Sequence, residues 1–221
     1  FSFILTNLIG SVLLDDMRRK RIKRCHLAYY HCMTRVVGRQ MLLGDAEKEH
    51  MRILIRKVEA FTGVRVLTYA LMTNHIHLLL EEPDRATDVS EELLEERMRA
   101  LYSVEEMGEI AARWADWLGQ GNTDAILEDQ ARYRRRMHDI SEFMKTVKHR
   151  FSFWYNRLHN RKGTLWSERF KSVLVEGGAA LRTVAAYIEM NPVRAGLVAD
   201  PSAYRFCGLG DAAEGSQVAR N

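Results

Sequence analysis

The sequence predicts an α+β fold in which strands and amphipathic helices share one domain. Three observations predict it. Segments 64–72 ("VRVLTYALM") and 75–82 ("HIHLLLEE") are strand-like and parted by a short turn, the pattern of an antiparallel hairpin. Residues 45–61 carry apolar side chains at helical spacing. Residues 84–140 are helical and acidic, and differ in character from both flanks. A chain of 221 residues suits one domain with such an insertion.

The elements follow in order. Residues 1–20 form an N-terminal extension, expected to be poorly ordered. Its apolar run "FSFILTNLIGSVLL" falls short of the roughly 20 residues that span a bilayer. The basic residues follow that run, whereas a signal peptide needs them before it. Met17 is a candidate start, with residues 1–16 an upstream extension.

Residues 21–83 form the first part of the main domain. "HLAYYHCMTRVV" (26–37) reads as a strand. Asp45 is expected to cap the next helix, with Lys48 three residues on and Met51, Leu54, Ile55 and Val58 on its apolar side. Gly63 ends that helix, Asn74 lies in the hairpin turn, and Pro83 closes the third strand.

The insertion at 84–140 is far longer than an ordinary connection. Thr123 or Asp124 is expected to cap its last helix. Residues 141–206 form the second part of the domain. Ser141 opens a helix with Phe143, Val147, Phe151, Trp154 and Leu158 on one side. Residues 170–176 alternate like a strand. A short helix follows, and its small residues (Ala179, Ala180, Ala185, Ala186) suit close approach to a sheet. Asn191–Pro192 stops it, because proline within a helix costs about 3 kcal/mol. No clear element is expected near the end, and 207–221 reads as a polar tail.

The net charge of +4 matters only where it is clustered. Three cysteines are too few for a disulfide scaffold and fit a reducing cytoplasm. "CHLAYYHC" invites a zinc reading for Cys25, His26, His31 and Cys32. Strand alternation divides these residues between two faces, and the spacing of zinc modules is absent.

Three features carry chemistry. On a strand, His75, His77 and Leu79 point one way, and Asn74, Ile76, Leu78 and Leu80 the other. Two imidazoles about 7 Å apart on one face can meet on one cation or phosphate. The plainer reading is two histidines on a half-exposed sheet face. Tyr187 and Asn191 are four residues apart and share a helix face. They offer a nucleophile and an oxygen ligand, or else a core-edge ring and a helix cap. Between Lys145 and Lys171, basic residues alternate with Trp154, Tyr155 and Trp166, which suits nucleic acid or a solvated helix face.

Four blocks stand in order: "YYHCMTRVVGRQMLL", "VRVLTYALMTNHIHLLLEEP", "MKTVKHRFSFWYNRLHNRKGTLWSERFKSVLVE" and "AAYIEMNPVRAGLV". In them the chain resembles the single-tyrosine HUH transposases of the IS200-like type, especially the REP-associated tyrosine transposases. They cover most of 28–83 and 141–206, and His75-Ile76-His77 is the HUH triplet. The resemblance implies a ferredoxin-like or RRM-like central antiparallel sheet backed by helices. It implies Mg²⁺ or Mn²⁺ held by His75, His77 and Asn191, with Mn²⁺ the better match to imidazole. It implies that Tyr187, aided by Asn191, attacks single-stranded or hairpin DNA to give a 5′-phosphotyrosine link and a free 3′-OH. Tyr155 is the alternative nucleophile, on a long helix after the HUH strand, but its neighbour four residues on is His159 and not an amide. Lys148, Arg150, Arg169, Lys171 and Arg194 are the expected DNA contacts. The partners implied are DNA and a second copy of the chain as a homodimer, with no membrane. The setting is the bacterial cytoplasm, at the nucleoid during action. The 84–140 insertion departs from the family pattern, and the polar tail after Cys207 raises the question of a missing C-terminal segment. A domesticated protein that grips hairpin DNA or structured RNA without cutting is the alternative, and a metal-dependent hydrolase using water is a third reading.

Overall fold

A computed structural model of the chain describes residues 27–84 and 88–215. The extension at 1–20, Met17, Cys25 and His26 lie outside the described residues, as do 216–221 of the tail. Four strands build the sheet: β1 (Ala28–Arg35), β2 (Arg65–Leu71), β3 (His75–Glu82) and β4 (Lys171–Val175). Their order is β2-β3-β1-β4, and each neighbouring pair is antiparallel. Helix α1 (Asp45–Thr62) links β1 to β2, and the segment linking β3 to β4 contains helix α5 (Ile140–Leu158). Each crossover skips one position that another strand fills. This is the ferredoxin-like arrangement.

Strand alternation sorts the sheet into two faces. Tyr30 and Cys32 of β1 and Ile76, Leu78 and Leu80 of β3 have no exposed surface. They share one apolar core with Met51, Ile55 and Val58 of α1 and Phe143, Val147 and Phe151 of α5. Burying each such side chain contributes about 1.5–3 kcal/mol. Trp154 is only half-buried, and Leu158, expected on the same side, is exposed.

Three helix starts differ from expectation. Gly44 is the N-cap of α1, and Asp45 is its first helical residue. In the insertion, helices α2 (Glu91–Leu101) and α3 (Val104–Gly119) precede α4 (Thr123–Arg134). The side chain of Asn122, not Thr123 or Asp124, accepts from Ala125 N–H and caps α4. Asp139 caps α5 by accepting from Ser141 N–H at 2.6 Å and Glu142 N–H at 3.3 Å. An N-cap needs extended backbone and an acceptor that reaches two or three residues on. Asp139 meets both needs, whereas Ser141 already lies inside the helix.

The insertion is tied to the core. Leu94, Met98 and Leu101 of α2 are buried within it. Gly63, with φ of +71° at the C-terminus of α1, lets the Arg97 guanidinium pass where a Cβ would collide. Arg97 then donates to His138 Nε2 at 2.9 Å. Helices α3 and α4 hold each other through Asp129, which accepts from Arg113 at 2.8 Å and from Trp114 Nε1 at 2.9 Å.

After β4 come α6 (Ala179–Glu189) and the one-turn α7 (Asn191–Arg194), so the helix breaks before Pro192 as expected. Helix α6 packs across β2, β3 and β4. It does so through Leu181, Val184, Ala185 and Ile188, while Ala179, Ala180 and Ala186 are exposed. Of the four small residues expected at this contact Ala185 alone makes it, and the larger Leu181, Val184 and Ile188 supply the rest.

The C-terminal stretch, expected to lack a clear element, forms regular structure between residues 201 and 213. A 3₁₀ turn (Pro201–Ala203) leads to buried Tyr204, Phe206 and Cys207, and then to α8 (Gly208–Ala213). Phe206 O accepts from Leu71 N–H at 2.9 Å, and Cys207 bridges Ala70 beside β2. The Asp211 carboxylate accepts from Tyr69 Oη at 2.9 Å and Arg52 Nη1 at 3.0 Å. Among the described residues, no helix is long and apolar enough to cross a membrane.

Candidate functional site

The sheet register brings separate strands to one place. His31 lies opposite Leu79 and Val173, Met33 opposite His77 and Lys171, and Arg35 opposite His75. All belong to the sheet face opposite Tyr30, Cys32, Ile76 and Leu78. Helix α6 runs over that face and brings Tyr187. Its start needs Gly178, whose φ of +70° few other residues adopt. Asn191, just past the break, closes the site. Of the residues gathered on this side, all but Leu79 and Gly178 line a cavity of about 230 Å³.

His31 Nε2 and His77 Nδ1 are 2.9 Å apart, and their rings stack with centroids 5.1 Å apart. The His75 ring stands edge-on to His77, again at 5.1 Å. The Tyr187 ring lies 6.1 Å from His31 and 6.2 Å from His77. The Arg194 guanidinium sits 5.1 Å over the Tyr187 ring. Asn191 Nδ2 donates to Tyr187 O at 3.0 Å and Ile188 O at 3.1 Å. Both partners are carbonyls, so that end of the amide must be the nitrogen, and Oδ1 is the free acceptor.

Burial pushes His31 down to about 4, and burial followed by the Arg35 charge does the same to His75. Burial holds His77 well below the usual histidine range, helped by His31 and His75. All three imidazoles are therefore neutral at pH 7, and each keeps one nitrogen lone pair. A neutral imidazole is the form that ligates metal.

The fit to a divalent cation rests on this donor set. Among the described residues, no group of three or more His, Cys, Asp or Glu side chains is arranged to hold a metal ion. The cavity offers two imidazoles of one strand and the amide oxygen of Asn191, with Arg35 and Lys171 as cations in its wall. Such a set fits Mn²⁺ better than Mg²⁺.

The structure thus brings together His75, His77, Tyr187, Asn191, Lys171 and Arg194. It places the other sequence-derived residues elsewhere. Tyr155 is buried against Phe151 and stacked on His159, and does not line the cavity. Lys148 donates to Glu168 O at 2.7 Å beside the Trp166 ring. Arg150 donates to Leu101 O and Glu106, fastening α5 to the insertion. Arg169 is exposed. His31 and Arg35 belong to the cavity but were not read as site residues. Their signal was the odd phase of β1, which becomes informative once β1 is paired with β3. Cys32 points into the core, on the other face from His31, so the two cannot share a zinc ion.

Comparison with known proteins gives the context. A family model described as "Transposase IS200 like" matches residues 24–92. Over that stretch the chain is similar to IS200-like transposases. The match spans β1 through β3 and both histidines of the triplet, so the resemblance read from the sequence holds. The chain also resembles a solved structure of a REP-associated tyrosine transposase bound to a REP hairpin. Identity is 16%, the TM-score is 0.52, and the alignment covers 88% of this chain and 84% of the other. At that identity the likeness is one of fold. A transposase-like protein from Deinococcus radiodurans aligns at 14% identity over 78% of this chain and 96% of its own, with a TM-score of 0.37. No curated protein matches.

Proposed function

We propose that this protein is a metal-dependent DNA strand transferase that cuts and rejoins single-stranded or hairpin DNA through Tyr187. The carrying observation is the convergence of Tyr187, Asn191, His75 and His77 on one cavity. The IS200-like match over 24–92 supports the transposase class. The fold likeness to a protein bound to a REP hairpin supports hairpin DNA as the substrate class.

Tyr187 Oη attacks a phosphodiester phosphorus, and the bond from phosphorus to the 3′ oxygen breaks. The phenol loses its proton to water, and the leaving 3′ oxygen gains one to become a free 3′-OH. The 5′ phosphate stays on the tyrosine until a 3′-OH reverses the step. Lys171 and Arg35 hold the phosphate against the imidazole face, and Arg194 packs over the phenol ring. His75, His77 and Asn191 Oδ1 would hold Mn²⁺ or Mg²⁺, which when bound polarises the phosphate oxygens. The bond from Asn191 to the carbonyl of Tyr187 ties ligand and nucleophile to one turn of backbone.

The test uses hairpin oligonucleotides labelled at either end, with Mn²⁺ present. A denaturant-resistant adduct carrying the 3′ label is expected, with the 5′-labelled fragment set free. Tyr187→Phe should abolish the adduct and Tyr155→Phe should keep it. The reverse pattern would move the nucleophile to Tyr155. Cleavage without an adduct would point to water, and binding with neither to a non-cleaving hairpin binder.

A further inference from the structure

We infer that His31 is a positioning residue that holds His77 as its Nδ1–H tautomer and so aims the Nε2 lone pair of His77 into the cavity. The inference rests on the metal-dependent reading above, and names a residue that this reading does not use. It starts from a contact between two buried side chains of neighbouring strands, His31 Nε2 to His77 Nδ1 at 2.9 Å. Only one of these nitrogens can carry the shared proton. If His77 donates, its Nε2 is a lone pair and a ligand. If His31 donates, neutral His77 carries its proton on Nε2 and can only donate to a phosphate.

Two observations favour the first arrangement. His75 shows the same design with a fixed sign. Asn74 Nδ2 donates to Arg39 O, so Asn74 Oδ1 is the atom facing His75 Nδ1 at 2.7 Å, and that nitrogen must carry the proton. His75 therefore offers Nε2 as its lone pair. The cavity wall also holds Arg35 and Lys171, which have donors and no acceptors. Lys171 also meets Glu168 at 3.6 Å, whereas the charges of Arg35 and Arg194 act on His77. A lone pair turned toward these cations is favoured over an N–H dipole aimed at them. The imidazole that orients His77 thus comes from β1, and the hairpin turn orients His75.

A hydrogen-bonded partner of this kind fixes ring orientation as well as tautomer. The experiment has two readouts. In ¹⁵N-histidine-labelled protein without metal, two-bond ¹H–¹⁵N spectra should show His77 protonated at Nδ1, and His31→Leu should release that preference. Titration with Mn²⁺ alone, followed by electron paramagnetic resonance, should show affinity falling about 10- to 100-fold in His31→Leu. His31→Gln, whose Oε1 can accept the same proton, should bind within about 3-fold of the native protein. Should His31→Leu fail to fold, His31→Gln and the native tautomer still decide the question. A native His77 protonated at Nε2 overturns the inference. So does unchanged Mn²⁺ affinity in His31→Leu when His77→Ala abolishes binding, and in that case the metal-dependent reading survives. Native protein that binds no Mn²⁺, or binds it equally after His75→Ala, overturns both.

Discussion

His77 and Leu78 are adjacent on β3 and meet opposite surroundings. Leu78, with Ile76 and Leu80, enters a core from which water is wholly excluded. His77 enters a cavity with two further imidazoles, a phenol, an amide and two cations. The period of two keeps these environments apart along a single strand, and antiparallel pairing repeats the division on β1. Burial of neutral imidazoles and nearby cations costs stability, and the apolar face offsets that cost. The lesson is that register, more than any single contact, creates the site. A slip of one residue would send His75 and His77 into the core.

The comparison can be broken or sharpened by substitution. Leu78→Ala should lose about 2–5 kcal/mol in urea unfolding, because it opens a cavity in the closed face. His75→Ala should lose less than about 1 kcal/mol, with its main effect on Mn²⁺ affinity. Equal losses would mean that the faces do not divide stability from chemistry. Asp211→Ala removes the carboxylate shared by Arg52, Arg56 and Tyr69, and should cost about 2–3 kcal/mol in the same assay. Arg97→Ala loosens the insertion from α1 and should cost about 1–2 kcal/mol. DNA adduct formation should survive it, and loss of the adduct would tie the insertion to the reaction.

The smallest expected effect depends on pH. His50 stacks on Trp154 with centroids 3.7 Å apart, and burial, then the Lys57 charge, lowers its pKa. The unfolded chain therefore takes up this proton more readily than the folded one. The contribution is neutral above pH 6.5 and turns destabilising as pH falls through 6.5 toward the lowered folded value. In His50→Gln, the fall in melting temperature between pH 7 and pH 5 should be slightly shallower than in the native protein.

Much of this was legible in the sequence, for identifiable reasons. The hairpin, the first long helix and the break at Pro192 follow from local rules of period and backbone. The histidine pair is legible because it lies within one strand, where spacing alone fixes the face. Tyr187 and Asn191 stand on either side of the junction between α6 and α7, and their four-residue spacing still brings both to the cavity because Met190 keeps near-helical backbone. His31 and Arg35 were not legible, because their roles come from a strand 46 and 40 residues away in the chain, through pairing with His77 and His75. Lys148 and Arg150, expected at DNA by charge, lie outside the cavity and bond to carbonyl oxygens within the fold. Composition reveals a charge but not its partner. The caps at Asn122 and Asp139 fall one or two residues before the expected positions because neighbouring polar residues offer rival acceptors.

The stretch from Tyr204 to Cys207 has one more consequence. It lies along β2, a border strand of the sheet, with Tyr204 Oη donating to Leu71 O at 2.7 Å and Leu71 N–H donating to Phe206 O. These backbone groups would otherwise be open to any extended peptide, including the same strand of another molecule. This stretch thus acts as a chaperone carried in cis. A truncation placed before Tyr204 would leave the histidine cavity on its own strands and make the protein sticky, a hazard to weigh before any shortened form is used to study the chemistry.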